Sequence, residues 1–131
     1  MKYFGLIAIS LLILSCNNSD EPLKGPEHLQ FSLDESILVS RLKGIDSADV
    51  NVQFITKTRL FFKKYYYNNL LLIVHIKPEL TIDDAFIDSH VKGYKLTLER
   101  EVLNYFAYDG LTIDFYEDGK KVHTHEESFN K

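Results

Sequence analysis

Leu70 to Lys77, LLLIVHIK, is the stretch on which the fold turns. It is rich in branched aliphatics, preceded by Asn68-Asn69 and closed by Pro78, so its length and flanks favour a strand over a helix. An apolar run this continuous predicts a central strand buried on both faces, because a strand with one wet face alternates instead. His75 within it is expected to be a hydrogen-bonded core histidine rather than a ligand.

Upstream, Arg59 to Tyr67 (RLFFKKYYY) predicts another strand, with Asn68-Asn69 as the turn into the central one. Before it, Val50, Val52 and Phe54 alternate with Asn51, Gln53 and Ile55, the period of two of a further strand. Asp34 to Lys43 (DESILVSRLK) places Ile37, Leu38 and Leu42 at helical spacing, with Asp34 as cap and Gly44 as stop.

Downstream, Thr81 can cap a helix whose first turn holds Asp83 and Asp84, where the helix dipole favours negative charge. The spacing predicts a helix from about Ile82 to Tyr105, with Ile82, Phe86, Ser89, Gly93, Leu96, Leu103 and Ala107 along one stripe. Gly93 costs such a helix roughly 1 kcal/mol relative to Ala, which suggests a break or a close-packing contact. A competing assignment makes Tyr94 to Leu98 (YKLTL) a strand. Asp109-Gly110 closes the helix, Leu111, Ile113 and Phe115 alternate with Thr112, Asp114 and Tyr116, and Asp118-Gly119 is a strong hairpin signal into Lys121 to Glu127. The expected fold is α+β, in the order α-β-β-β-α-β-β: a mostly antiparallel sheet packed against one long and one short helix.

The N-terminus belongs to a different physical regime. Met1-Lys2 gives a basic start, and Phe4 to Leu14 (FGLIAISLLIL) is apolar except for Ser10. As a helix these eleven residues span about 16 Å, roughly half a hydrocarbon core, which suits a signal-peptide core better than a membrane span. Where a cleavage site of small residues would stand, the chain reads Ile13-Leu14-Ser15-Cys16. This resembles the lipobox of bacterial lipoproteins, and the resemblance covers about sixteen residues. It implies that residues 1–15 are a signal peptide, and that Cys16 becomes the mature N-terminus, acylated on sulfur and amine. Two or three acyl chains anchor stably where one binds only marginally. Cys16 is the only cysteine in the chain, so a lipidated Cys16 leaves no thiol for a disulfide, a metal or a nucleophile. Residues 16–28, with two prolines and no apolar period, are the expected tether, and residues 29–131 the single domain. Ser19-Asp20-Glu21 resembles the acidic signal that follows the lipidated cysteine in surface lipoproteins of the Bacteroidota. The expected address is the cell envelope, at the outer membrane, on its periplasmic face or at the cell surface.

Length and composition bound the rest. A chain of 131 residues with 45% hydrophobic and 26% charged content is one ordinary globular domain. A net charge of -4 argues against a nucleic-acid binder, which needs a basic stripe to displace counterions.

Two constellations invite chemistry. His123, His125 and Glu127 alternate along the last strand, so they share a face, and two imidazoles with a carboxylate suit zinc. Polar side chains also line edge strands simply to discourage aggregation. Arg59, Phe61, Lys63, Tyr65 and Tyr67 interleave aromatics with cations, a set suited to a protein or glycan interface. His90 has no identifiable acid-base partner, and Asp83, Asp84 and Asp88 are explained by the helix start and by an i,i+4 pair with Lys92. No nucleophile elbow, phosphate-binding glycine loop or H-E-x-x-H occurs, so neither an enzyme nor a cofactor is expected. The expected function is non-enzymatic binding of a protein partner, as an accessory subunit or an immunity-type inhibitor. A ligand- or metal-binding lipoprotein using the aromatic hairpin or the His123/His125 strand is the alternative.

Overall fold

The computed structural model describes Pro26, residues 28–59 and residues 63–129, the side chains of Arg59 and Lys63 excepted. The signal-peptide and Cys16 assignments lie outside the described residues. The elements run α1 (Glu35–Ser40), β1 (Ile45–Arg59), β2 (Lys63–Ile76), α2 (Asp84–Glu101), a short 3-10 turn (Tyr105–Ala107), β3 (Gly110–Glu117) and β4 (Lys120–Ser128). They form an α+β fold with one short and one long helix, as the sequence predicts, but with one strand fewer.

The missing strand is explained at Asn68-Asn69, which is not a turn. Both residues sit inside β2, in unbroken register with Phe54 and Gln53 of β1. The Asn68 backbone N–H donates to Asp109 Oδ2 at 2.9 Å, and its carbonyl accepts from Asp109 N at 2.9 Å. Its side-chain amide donates to the Pro26 carbonyl at 3.2 Å. A buried asparagine with these partners can continue a strand that its local propensity would end.

The sheet order is β1-β2-β3-β4. The outer pairs are antiparallel and β2–β3 is parallel. Parallel neighbours require a crossover, and α2 supplies it. At the β3–β4 turn, Asp118 and Gly119 both take positive φ, as a two-residue hairpin of this type demands.

One side of the sheet carries the core. Val50 and Val52 of β1 stand opposite Leu72 and Leu70 of β2, which stand beside Ile113 and Leu111 of β3. These side chains pack with Leu38 of α1 and with Ile87, Val91, Tyr94 and Leu98 of α2. The buried stripe of α2 is therefore Ile87, Val91, Tyr94, Leu98 and Glu101, one position removed from the expected stripe. Both stripes have helical spacing, but only the observed one is large and apolar nearly throughout, whereas the expected one passes through Ser89 and Gly93. Residues 94–98 are helical, not a strand, and Gly93 neither breaks α2 nor packs closely: a Cβ there would meet nothing within 4 Å.

The ends of α2 also differ from expectation. Asp83, not Thr81, caps it by accepting from Phe86 N at 2.7 Å. The helix stops at Glu101 because residues 30–32 pair with the chain that follows: Ser32 N donates to Glu101 O at 2.8 Å, and Leu103 N to Gln30 O at 2.7 Å. Glu101 is buried, and its carboxylate accepts from Ser32 Oγ at 2.6 Å, Arg100 Nε at 2.6 Å and the Arg41 guanidinium. The Ser32 and Arg100 hydrogen bonds hold its carboxyl below the usual carboxylate range; burial opposes them, and the charges of Arg41 and Arg100 add to them.

Candidate functional site

Among the described residues, the other side of the sheet has no helix on it. Strand alternation sends Tyr65, Tyr67, Leu71, Ile73 and His75 of β2 to this side, flanked by Asp49, Asn51, Gln53, Ile55 and Lys57 of β1. Thr112, Asp114 and Tyr116 of β3 continue the same face. None of the five β2 residues belongs to the core, and all five are half-buried. LLLIVHIK is thus buried on one side only. Leu70, Leu72, Val74 and Ile76 are enclosed, while Leu71, Ile73 and His75 lie on the uncovered side. The expectation of burial on both faces is corrected: no second layer exists among the described residues. His75 is likewise not a core histidine. Its ring leans on Tyr116, with centroids 5.2 Å apart.

The uncovered face has an apolar middle and a polar margin. Ile73 is paired with Asp49 on one side and Asp114 on the other. Asp114 is itself nearly buried, accepting from the Thr124 hydroxyl at 2.6 Å and lying 3.4 Å from Lys121 Nζ. Lys57 lies over the Tyr67 ring, 5.9 Å from its centroid. At this distance the contact is at the outer limit of a cation–π attraction, worth about 0.5–1 kcal/mol at an exposed site.

Of the predicted interface set, Tyr65 and Tyr67 come together on this face. Phe61 lies outside the described residues. Arg59 and Lys63 form the last pair of the β1–β2 ladder, and their side chains lie outside the described residues. The sequence also missed Ile55, Leu71, Ile73 and Tyr116, because the apolar run around Ile73 reads as core when its flanking layers are unknown.

His123, His125 and Glu127 do share a side of β4, opposite Phe115, Ile113 and Leu111, but that side is the helix side. Glu127 pairs with Lys95 of α2, and the His123 ring leans on Phe115 at 5.8 Å. Their surroundings are a helix–sheet seam, and among the described residues no group of three metal-capable side chains comes together.

A cavity of about 400 Å³ lies between the α1–β1 connection and α2, lined by Arg41, Lys43, His90, Gly93, Tyr94 and Thr97 among others. Its fittings are structural. The Tyr94 hydroxyl donates to Lys43 O at 2.6 Å, Thr97 Oγ1 donates to Gly93 O at 3.0 Å, and His90 Nδ1 lies 2.8 Å from Phe86 O with its ring stacked on Phe86.

Among the described residues no helix is long and apolar enough to cross a membrane. No protein-family model, no curated protein and no solved structure matches the chain.

Proposed function

We propose that the protein is a lipid-anchored envelope protein whose domain binds a protein partner, without catalysis, through the uncovered face of its sheet. One observation carries this reading: β2 has the composition of a strand covered on both sides, yet the described elements cover only one. Leu71 and Ile73, with Tyr65, Tyr67 and Tyr116 around them, give that face an aromatic and aliphatic middle. Asp49, Asn51, Gln53, Thr124 and Lys121 give it a polar margin. An apolar, aromatic centre inside a polar rim is the anatomy of a protein interface. A small-molecule site would instead be concave. The anchor is supported by the signal-like N-terminus and the Ile13-Leu14-Ser15-Cys16 pattern.

Site-specific photocrosslinking in cells tests the binding face. A benzophenone side chain placed at Tyr67 or Ile73 of the full-length chain should give one discrete protein adduct, and the same group at Leu96 on the outer side of α2 should not. Ile73→Lys, whose charge suits the flanking Asp49 and Asp114, should abolish the Tyr67 adduct without changing the thermal unfolding midpoint by more than a few degrees. Equal labelling from both sides of the molecule, or none from the sheet, contradicts the reading.

A further inference from the structure

Among the described residues, four large apolar side chains are more than half exposed: Leu103 at 68%, Phe106 at 65%, Leu96 at 59% and Phe54 at 53%. Three of them, Leu103, Phe106 and Phe54, stand near the place at which the N-terminal segment joins the domain, and the β1–β2 ladder runs five pairs past Phe54 to Arg59 and Lys63. The Gln30 carbonyl accepts from Leu103 N at 2.7 Å, and the His28 carbonyl accepts from the Asn104 side-chain amide at 2.9 Å. The Pro26 carbonyl accepts from Asn68, whose partner across the β1–β2 ladder is Phe54. Phe106 lies in the 3-10 turn that follows Asn104, its ring edge-on to buried Tyr105. Leu96, the fourth, lies on α2 seven residues before Leu103. The opposite end of the sheet carries the Asp118-Gly119 turn.

We propose that Leu103 and Phe106, with Phe54 at their flank, seat this end of the domain in the lipid interface. The inference rests on the lipid-anchor reading of Cys16, and the length of the connecting chain selects the occupant. Residues 17–25 separate Cys16 from Pro26. Even fully extended they reach roughly 35 Å, little more than the diameter of a small domain. The end carrying Pro26 is therefore held near the bilayer. Tethering makes the second contact intramolecular, so a weak patch suffices where free in solution it would not bind. Side chains such as Leu and Phe enter the headgroup–acyl boundary readily.

The chain contains no tryptophan, so one introduced tryptophan is a unique reporter. Full-length Phe106→Trp, Leu103→Trp and, at the far end, Val122→Trp would be purified in lipidated form. Each would be placed in vesicles of phosphatidylethanolamine and phosphatidylglycerol, with and without brominated acyl chains. The Phe106→Trp and Leu103→Trp emission should shift to the blue and lose at least half its intensity to the bromines, while Val122→Trp emission stays unquenched. The double variant Leu103→Asp, Phe106→Asp should still float with vesicles through its acyl chains, but a Phe54→Trp reporter in that background should lose its quenching. Equal quenching at both ends, or none at either in a chain whose mass shows acylated Cys16, overturns the seating alone. A blue shift without quenching also overturns it and shows a second protein chain over the patch. A chain without acyl groups on Cys16 overturns the anchor and the seating together, and the mass measurement separates that case from the others.

Discussion

Leu72 and Ile73 are consecutive in β2, yet Leu72 is fully enclosed in the core shared with α2 while Ile73 lies on the side that no described element covers. Their backbones are equivalent and their side chains similar in size, so the difference between them isolates the effect of the covering layer. Leu72→Ala removes atoms from a closed core and should cost about 2–5 kcal/mol. Ile73→Ser should cost under about 1 kcal/mol, because its surroundings can be rehydrated. Urea unfolding of the two variants checks this. Equal losses would mean that the second face is covered, and the interface reading would fail with it.

Two glycines should respond to alanine with opposite signs. At Gly93 a Cβ meets nothing within 4 Å, inside a helix and at ordinary φ. Gly93→Ala should therefore stabilise the domain by about 0.5–1 kcal/mol, largely by restricting the unfolded chain. At Gly110 a Cβ would stand 2.5 Å from the Glu127 carbonyl oxygen of the adjacent strand. Gly110→Ala must push β3 and β4 apart, and a loss of about 2 kcal/mol or more is expected. Thermal unfolding of the pair reads both signs.

Much of this architecture is legible in the residues. Asp118-Gly119 specifies its hairpin locally, and the alternation of Leu111, Ile113 and Phe115 specifies β3. What was not legible depends on partners distant in the chain. Asn68-Asn69 reads as a turn until Pro26 and Asp109 are known to hold Asn68 inside a strand. The α2 stripe was within reach of the sequence: Ile87, Val91, Tyr94 and Leu98 outweigh Ser89, Gly93 and Leu96 in apolar volume, and weighing size as well as spacing selects the right face. For the candidate site, Tyr65 and Tyr67 stand out by composition, whereas Ile73 and Leu71 do not. An apolar residue in an apolar run looks like core until the number of layers is known.

The tyrosines set an alkaline limit. Burial pushes the hydroxyls of Tyr94 and Tyr105 well above their ordinary range and raises that of Tyr108 against the opposing effect of Asn104, and the Glu127 and Glu99 charges raise Tyr105 further. A raised folded value means that the stabilisation is complete below the unfolded value of about 10 and is lost as pH rises from there towards the folded value. Spectrophotometric titration should show three of the tyrosines, Tyr94, Tyr105 and Tyr108, ionising only as the domain unfolds. Tyr94→Phe should remove one of the three, at the expense of the hydrogen bond to Lys43 O. Ionisation of all tyrosines in one step with the fold intact would contradict the burial.

Glu101 sets the acid limit. Its carboxylate gathers Ser32, Arg100 and Arg41, and so ties the N-terminal segment and the end of α1 to the end of α2. Because its folded pKa is lowered, the stabilisation is present above the unfolded value of about 4.3 and disappears as pH falls through the folded value. Glu101→Gln resembles the protonated side chain in shape and charge, so it should be less stable than the parent at pH 7 and converge with it in acid. Chemical unfolding at pH 7, 4 and 3 measures the gap. A gap that stays constant across this range would mean that Glu101 contributes by packing and not by charge. Convergence would show that the charge holds residues 30–32 to the domain, and these residues carry the chain out towards Cys16.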